Sequence, residues 1–280
     1  MTYFMHETSL QTEKDRLTYQ HNLMLHILGG RLGQAPVDSQ AHVLDVATGT
    51  GIWALQYGAC RSFSLFYFLR LILGAAEQHP ESRVLGVDLS ITKSQELLPE
   101  NCQFQQLDAE NGEWPQAQFD YIHFGYVITC FDDTKAVMKK AFDHMQPGGW
   151  VELHDPELRN VGDDDSAKGT AIEEWVGTVL RGGRIVGRDM LKSAHYEAWL
   201  HETGFVNVQD VKFTLPINEW PENLKLKKVG AIYKHNLLGL LESLAQFLTL
   251  AGLSNTEAED LKERAKRDIH NPQIRLAFPL

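Results

Sequence analysis

The chain has 280 residues, 43% hydrophobic and 22% charged, which is ordinary globular composition with enough length to bury a sizeable core. Its net charge of −11 argues against a nucleic-acid binder, which needs clustered Lys and Arg, and Lys225, Lys227 and Lys228 read as a solvated helix face. Cys60, Cys102 and Cys130 are too scattered for a disulfide framework or a metal-type spacing, which suits a reducing compartment.

The opening stretch MTYFMHETSLQTEKDR has no basic segment followed by an apolar one, so no secretory signal is expected. A helix is predicted from Thr8 to Leu28, with Leu17, Met24, Ile27 and Leu28 roughly on one face, and GGRLGQAP ends it. HVLDVA then reads as a short buried strand running into the turn TGTG and a helix start. From Tyr57 to Gln78 runs YGACRSFSLFYFLRLILGAAEQ, apolar between Phe63 and Leu73 except for Ser64 and Arg70. Its apolar run of about 11 residues falls short of the roughly 20 that a spanning helix needs, so no transmembrane span is expected.

SRVLGVDLS, NCQFQQLDAEN and FDYIHFGYVI are the next three strands, the first two ending in an acid. DDTKAVMKKAFDHM is a helix stopped by QPGG, and WVELHD is a fifth strand. Helices follow around 168–181 and 189–203, then a sixth strand in GFVNVQDVKFTLPI, a Leu-rich helical stretch over 222–252, and a helix over 256–270. Strands alternating with helices specify an α/β fold, a mostly parallel twisted sheet with helices on both faces. No repeat or linker interrupts it, so a single domain over 1–280 is expected: a helical cap at 1–41, a cofactor-binding core at 42–155, and substrate-side helices with sheet completion at 156–280.

LDVATGTGIWA is the most informative stretch. Glycines between a strand and a helix let the backbone approach a ligand, at the sheet edge where nucleotide-like ligands bind. The glycines alone would also fit a dinucleotide fingerprint, Gly49-x-Gly51-x-x-Ala54. The acids separate the readings. Asp45 ends the first strand, where it can face an ammonium group. Asp88 ends the second, placed to accept from ribose hydroxyls, and Asp108 ends the third, within reach of an adenine amine. Singly, each reads as well as a helix cap or surface carboxylate. Together they describe a pocket for an adenosine carrying an amino acid, S-adenosylmethionine, formed by Asp45, Ala47, Thr48, Gly49, Thr50, Gly51, Asp88, Leu89, Asp108 and Ala109.

These residues resemble the class I S-adenosylmethionine-dependent methyltransferases. VLDVATGTG looks like their first motif, with Ala47 where glycine is commoner; VLGVDLS, LDAEN and QPGGWVEL look like the second-strand acid, the third, and the turn into the fifth strand. A narrower likeness, to the LaeA-like fungal methyltransferases, rests on EKDRLTYQHNLMLHILGGRLGQAP, FVNVQDVKFTLPINEWP and LLGLLESLAQFLTLAG. The resemblance implies a Rossmann-like fold, S-adenosyl-L-methionine as cofactor, and a fungal protein that either tailors secondary metabolites or regulates their production. The first reading takes a small hydrophobic substrate; the second takes a regulatory protein partner. The expected location is cytoplasmic, or nuclear for a regulator.

Methyl transfer from a sulfonium needs donor and acceptor held in line, and a base only where the acceptor loses a proton. His154, Tyr126 and His21 are candidates for that role, each equally readable as pocket lining. His123 reads as core, Trp53, Trp114, Trp150 and Trp175 as packing, and no metal site is expected.

Two departures stand out. From Gly51 to Asp88 is 37 residues, against about 20 in a nucleotide-binding unit. Removing residues 58–75 leaves a spacing of 19 and a continuous helix. A lengthened helix, a surface hairpin or partner contact, and an unremoved intron all remain open, with the restored spacing favouring the last. At the far end, PQIRLAFPL begins to alternate as a final antiparallel strand and then stops, so that strand is expected to be incomplete and the sixth poorly protected.

Overall fold

The computed structural model describes residues 7–58, 79–91, 98–162 and 164–280. They form two compact units: one of residues 24–155 and 194–210, the other of the chain up to Leu23 with 156–193 and 211–280.

The first unit is built on a five-stranded parallel sheet of β1 (His42–Val46), β2 (Arg83–Asp88), β3 (Cys102–Gln106), β4 (Phe119–Gly125) and β5 (Met145–His154), in the order β3-β2-β1-β4-β5. The strand order reverses between β1 and β4, and open α/β sheets bind ligands at the carboxyl edge of such a switch point. Alternation along each strand divides the residues between two faces. Leu44, Val46, Val87, Ile122 and Phe124 form one core, capped by Val137 and Ala141 of helix α3 (Thr134–Asp143). Val43, Val84, Phe104 and Tyr121 form the other, covered by Trp53, Ala54 and Tyr57 of α2 (Ile52–Gly58). Asp133 starts α3 by accepting the Ala136 N–H, a local reason for the helix to begin there.

Helix α1 (Glu7–Ile27) runs from one unit into the other. The second unit also holds α4 (Ala171–Ile185), α6 (Leu224–Ser243), α7 (Ala245–Leu250) and α8 (Asn255–His270), while α5 (Tyr196–Thr203) belongs to the first. Helix α8 starts one residue earlier than the sequence suggests because Ser254 and Glu257 close a capping box.

The predicted sixth strand is much shorter than expected. Only β6 (Thr214–Pro216) forms, and it pairs antiparallel with β7 (Ala277–Pro279) in a two-stranded sheet of its own. The chain's last residues therefore do form the antiparallel strand, three residues long, and they cover one edge of β6. The N–H groups of Glu157 and Val161 bond to Pro279 and Ala277. Ile274, Leu276 and Phe278 are buried as their alternation suggested, but Ala277 is buried too.

Residues 59–78 of the unusual hydrophobic stretch lie outside the described residues. Its flanks do not. The N–H of His79 donates to the carbonyl of Tyr57 at 2.9 Å, and the two rings stack with centroids 4.4 Å apart. If 18 residues between them were absent, His79 would follow Tyr57 by four positions. A helix makes its N–H to carbonyl bond at that separation and brings those side chains to one face.

Candidate active site

Sheet register decides what meets at the carboxyl edge. Asp45 of β1 pairs with His123 of β4, and His123 pairs with Glu152 of β5. Parallel strands in register point paired residues to one face, so three polar side chains form a row across three strands. His154 follows Glu152 on the same face.

The row is joined by hydrogen bonds. Asp45 Oδ2 accepts from the Thr48 hydroxyl at 2.5 Å, and its Oδ1 lies 2.8 Å from His123 Nδ1. His123 Nε2 lies 3.4 Å from His154 Nδ1, and His154 Nε2 lies 2.7 Å from Glu152 Oε1. Glu152 also accepts from the Tyr121 hydroxyl at 2.9 Å and from the N–H groups of Gln34 and Ala35 at 2.9 and 3.0 Å. The backbone reaches Glu152 because residue 33 is glycine: a Cβ there would stand 2.4 Å from the Tyr121 hydroxyl. Trp53 fixes the plane of His123, with rings 3.8 Å apart and nearly parallel, and its indole N–H is tied to the Leu32 carbonyl at 2.9 Å.

These surroundings set the charges. Burial pushes the Glu152 carboxyl up, but hydrogen bonds and charge from His154 and the two N–H donors win and hold it at about 2. Burial lowers His123, against the pull of Asp45. Burial, with Glu152 next, keeps the Tyr121 hydroxyl well above its usual range.

The glycine-rich turn lies beside this row. Ala47, Gly49 and Gly51 all have positive φ, at 55°, 56° and 66°. The left-handed conformation at Ala47 explains why glycine suits that position, and an alanine there carries about 1 kcal/mol of strain. Tyr126, just past the end of β4, is a second strained residue on this edge, at φ 57°. Its N–H bonds to the His154 carbonyl at 2.8 Å.

Asp88 Oδ2 accepts the Gly49 N–H at 2.8 Å and Oδ1 accepts the Ser90 N–H at 3.1 Å, so the second-strand acid bridges to the turn of the first. Burial raises its pKa despite these bonds. Asp108 Oδ1 takes the N–H groups of Glu110 and Asn111, and Oδ2 the Asn111 side-chain amide. Those bonds, from Asn111 first, lower its pKa. Leu89 is exposed and Ala109 is buried, its carbonyl accepting from the Trp114 indole at 2.8 Å.

The structure thus brings Asp45, Thr48, Gly49, Asp88 and His154 to one edge of one sheet. Tyr126 joins them through its backbone, while Asp108 stands two strands from Asp45. His21 is buried on α1 and belongs to the other unit. His123 is buried, as its alternation suggested, but in a polar role that alternation did not reveal. Glu152 escaped the sequence reading. The signal was present in the acid and histidine of VELHD, but only register shows that they face His123.

A methyltransferase-domain family model matches residues 19–210. The chain belongs to that family. It is an S-adenosylmethionine-dependent methyltransferase. It is 30% identical to methyltransferase pytC of Aspergillus terreus, over 92% of this chain and 77% of that one. It is 27% identical to a probable methyltransferase, tdiE, of Emericella nidulans, over 96% and 80%. It is 26% identical to the secondary metabolism regulator LAE1 of Cochliobolus heterostrophus, over 94% and 83%. Among the described residues of this methyltransferase no helix is long and apolar enough to cross a membrane, and no group of three His, Cys, Asp or Glu side chains is arranged to hold a metal ion.

The donor set fits the cofactor by its chemistry. Each carboxylate has about four acceptor positions, and Asp45, Asp88 and Asp108 spend only two or three on the bonds described. Adjacent strands lie about 4.8 Å apart, so the three acids span roughly 10 Å of sheet edge, a scale suited to an extended nucleoside.

The folded Glu152 carboxyl lies below its usual 4.5, at about 2. Its stabilising effect is therefore complete above pH 4.5 and lost as pH falls toward 2, and at ~1.4 kcal/mol per unit it amounts to roughly 3 kcal/mol. Urea unfolding across pH should show Glu152→Gln less stable than the parent chain by about that much at pH 7, with the gap closing on acidification. A gap unchanged down to pH 2 would contradict this assignment.

Proposed function

We propose that this chain tailors a small, hydrophobic secondary metabolite in a fungus by methylation at the carboxyl edge of the five-stranded sheet. The observation that carries the site assignment is the placement of Asp45, Asp88 and Asp108 at the ends of three adjacent strands beside the 47–51 turn. Asp45 and Thr48 would hold the amino-acid end of the cofactor. Gly49, Thr50 and Gly51 leave the backbone open to it, with Ala47 setting the turn. Asp88 with Leu89 would take the ribose, and Asp108 with Ala109 the adenine. The bound cofactor supplies an electrophilic methyl group on a sulfonium. The chain's contribution is to orient the acceptor and exclude water, and His154 is the side chain nearest this edge that can hold or move a proton.

The tailoring reading draws on the likeness to pytC and tdiE. The likeness to LAE1 over most of both chains favours a second reading, a regulator of secondary metabolism acting through protein partners. The two separate experimentally. A tailoring enzyme methylates the metabolite that accumulates in a strain lacking its gene; a regulator leaves it unchanged and recovers regulatory partners in a pull-down.

We also read residues 58–75 as an insertion into α2, supported by the helix-like contact between Tyr57 and His79. Removing 59–76 instead gives the same register and retains Gly58, where a Cβ would come within 3.1 Å of Val84.

Calorimetry with S-adenosylhomocysteine and NADH tests the site. The thioether should bind and NADH should not, and Asp88→Ala should weaken binding at least about tenfold, the loss of one or two charge-assisted hydrogen bonds. Binding of NADH alone would overturn the assignment. A variant lacking residues 59–76 should unfold cooperatively, with a Tm no lower than that of the full chain. Loss of folding on deletion would show the segment to be integral.

A further inference from the structure

Asp45, His123, His154 and Glu152 form one line of hydrogen-bonding groups, whose longest link is the 3.4 Å contact between the two imidazoles. Both ends are carboxylates, which only accept. The Asp45 end therefore requires an N–H at His123 Nδ1, and the Glu152 end an N–H at His154 Nε2. The central contact, at 3.4 Å, becomes a hydrogen bond only with one more proton, on His123 Nε2 or His154 Nδ1. Two imidazoles with three protons carry one positive charge. That charge lies between two carboxylates, in a row where the side chains of Asp45 and His123 are 3% and 4% exposed.

We propose that the histidine pair is a proton-coupled counter-ion of Asp45, releasing its shared proton when the cofactor's ammonium group arrives at that carboxylate. The inference rests on the reading of Asp45 given above. Two cations cannot share one buried carboxylate without strong mutual repulsion, so ammonium binding and protonation of the pair oppose each other. The N–H bond of the shared proton breaks and the proton passes to solvent through His154, whose side chain is 10% exposed. The pair holds the Asp45 carboxyl aimed before the cofactor binds, so His123 and His154 are positioning residues.

The groups facing the pair limit what else could titrate. Asp45 faces it from β1, Glu152 from β5, Tyr121 from β4 itself, and Trp53 from α2. Glu152 is ionised far below neutrality and Tyr121 is held neutral by burial. The Thr48 hydroxyl and the bound N–H groups do not exchange charge. Neither Glu152 nor Tyr121 therefore changes charge near neutral pH.

Calorimetry on the full chain tests this with S-adenosylhomocysteine, which carries the ammonium, and 5′-methylthioadenosine, the same nucleoside thioether without the amino acid. At pH 6.5, comparing phosphate with Tris buffer reads the protons released on binding. The first ligand should release a measurable fraction of a proton, at most one, and bind more tightly as pH rises from 5.5 to 7.5. A whole proton corresponds to about tenfold per pH unit. The second should release none. His154→Asn should bind the first ligand with that release abolished, and if this variant fails to fold, the two-ligand comparison on the natural chain still decides. No release with S-adenosylhomocysteine, or equal release with both ligands, overturns the proposal. Asp45→Asn with undiminished affinity would overturn the reading of Asp45 on which it stands.

Discussion

The carboxyl edge of the sheet depends on a row of buried polar side chains hydrogen-bonded to one another. Leaving one partner of a buried ion pair alone costs about 3–5 kcal/mol, and here two carboxylates and two imidazoles satisfy one another in sequence. The consequences spread outward. Glu152 recruits the N–H groups of residues 34 and 35, so the stretch after α1 is drawn to β5. His123 needs a flat partner and has the Trp53 indole, which is itself anchored to Leu32. The segment from Leu32 to Ala35 is thus fastened to both α2 and the strand row. Position 33 accepts no side chain because that fastening is so close.

Strain gathers on the same edge. Ala47 and Tyr126 follow neighbouring strands, and both take a backbone conformation that favours glycine. Each is held by bonds that cross between strands: the Thr48 N–H to the Val87 carbonyl, and the Tyr126 N–H to the His154 carbonyl. The surroundings over-determine these residues, which is how strain persists in a folded chain. The backbone of this edge is therefore held in place by bonds within the chain itself, as a methyltransferase that works by orientation requires.

Much of this was legible in the sequence, and the limits have physical causes. The ends of the first three strands were readable because each closes on an acid, and the acids at 45, 88 and 108 carried the cofactor class. The parallel sheet followed from alternation of strands and helices. Register was not readable, since a one-residue slip reverses which face a side chain occupies. His123 therefore looked like a core residue between Tyr121 and Phe124, and Glu152 drew no notice. The sixth strand was overread because FVNVQDVKFTLPI alternates through residues most of which find no strand partner, and only its end, residues 213–217, bonds to β7 and the residues flanking it. The spacing anomaly was legible, and its meaning is sharpened by Tyr57 and His79 meeting across it.

The central claim is that His123 and His154 hold three protons between two carboxylates. Long-range nitrogen–proton correlation spectra of the histidine-labelled full chain at neutral pH read that count directly. The account predicts protons on His123 Nδ1 and His154 Nε2, with a third shared between the facing nitrogens. A His123 ring protonated only at Nε2, or a His154 ring bare at Nε2, would contradict it.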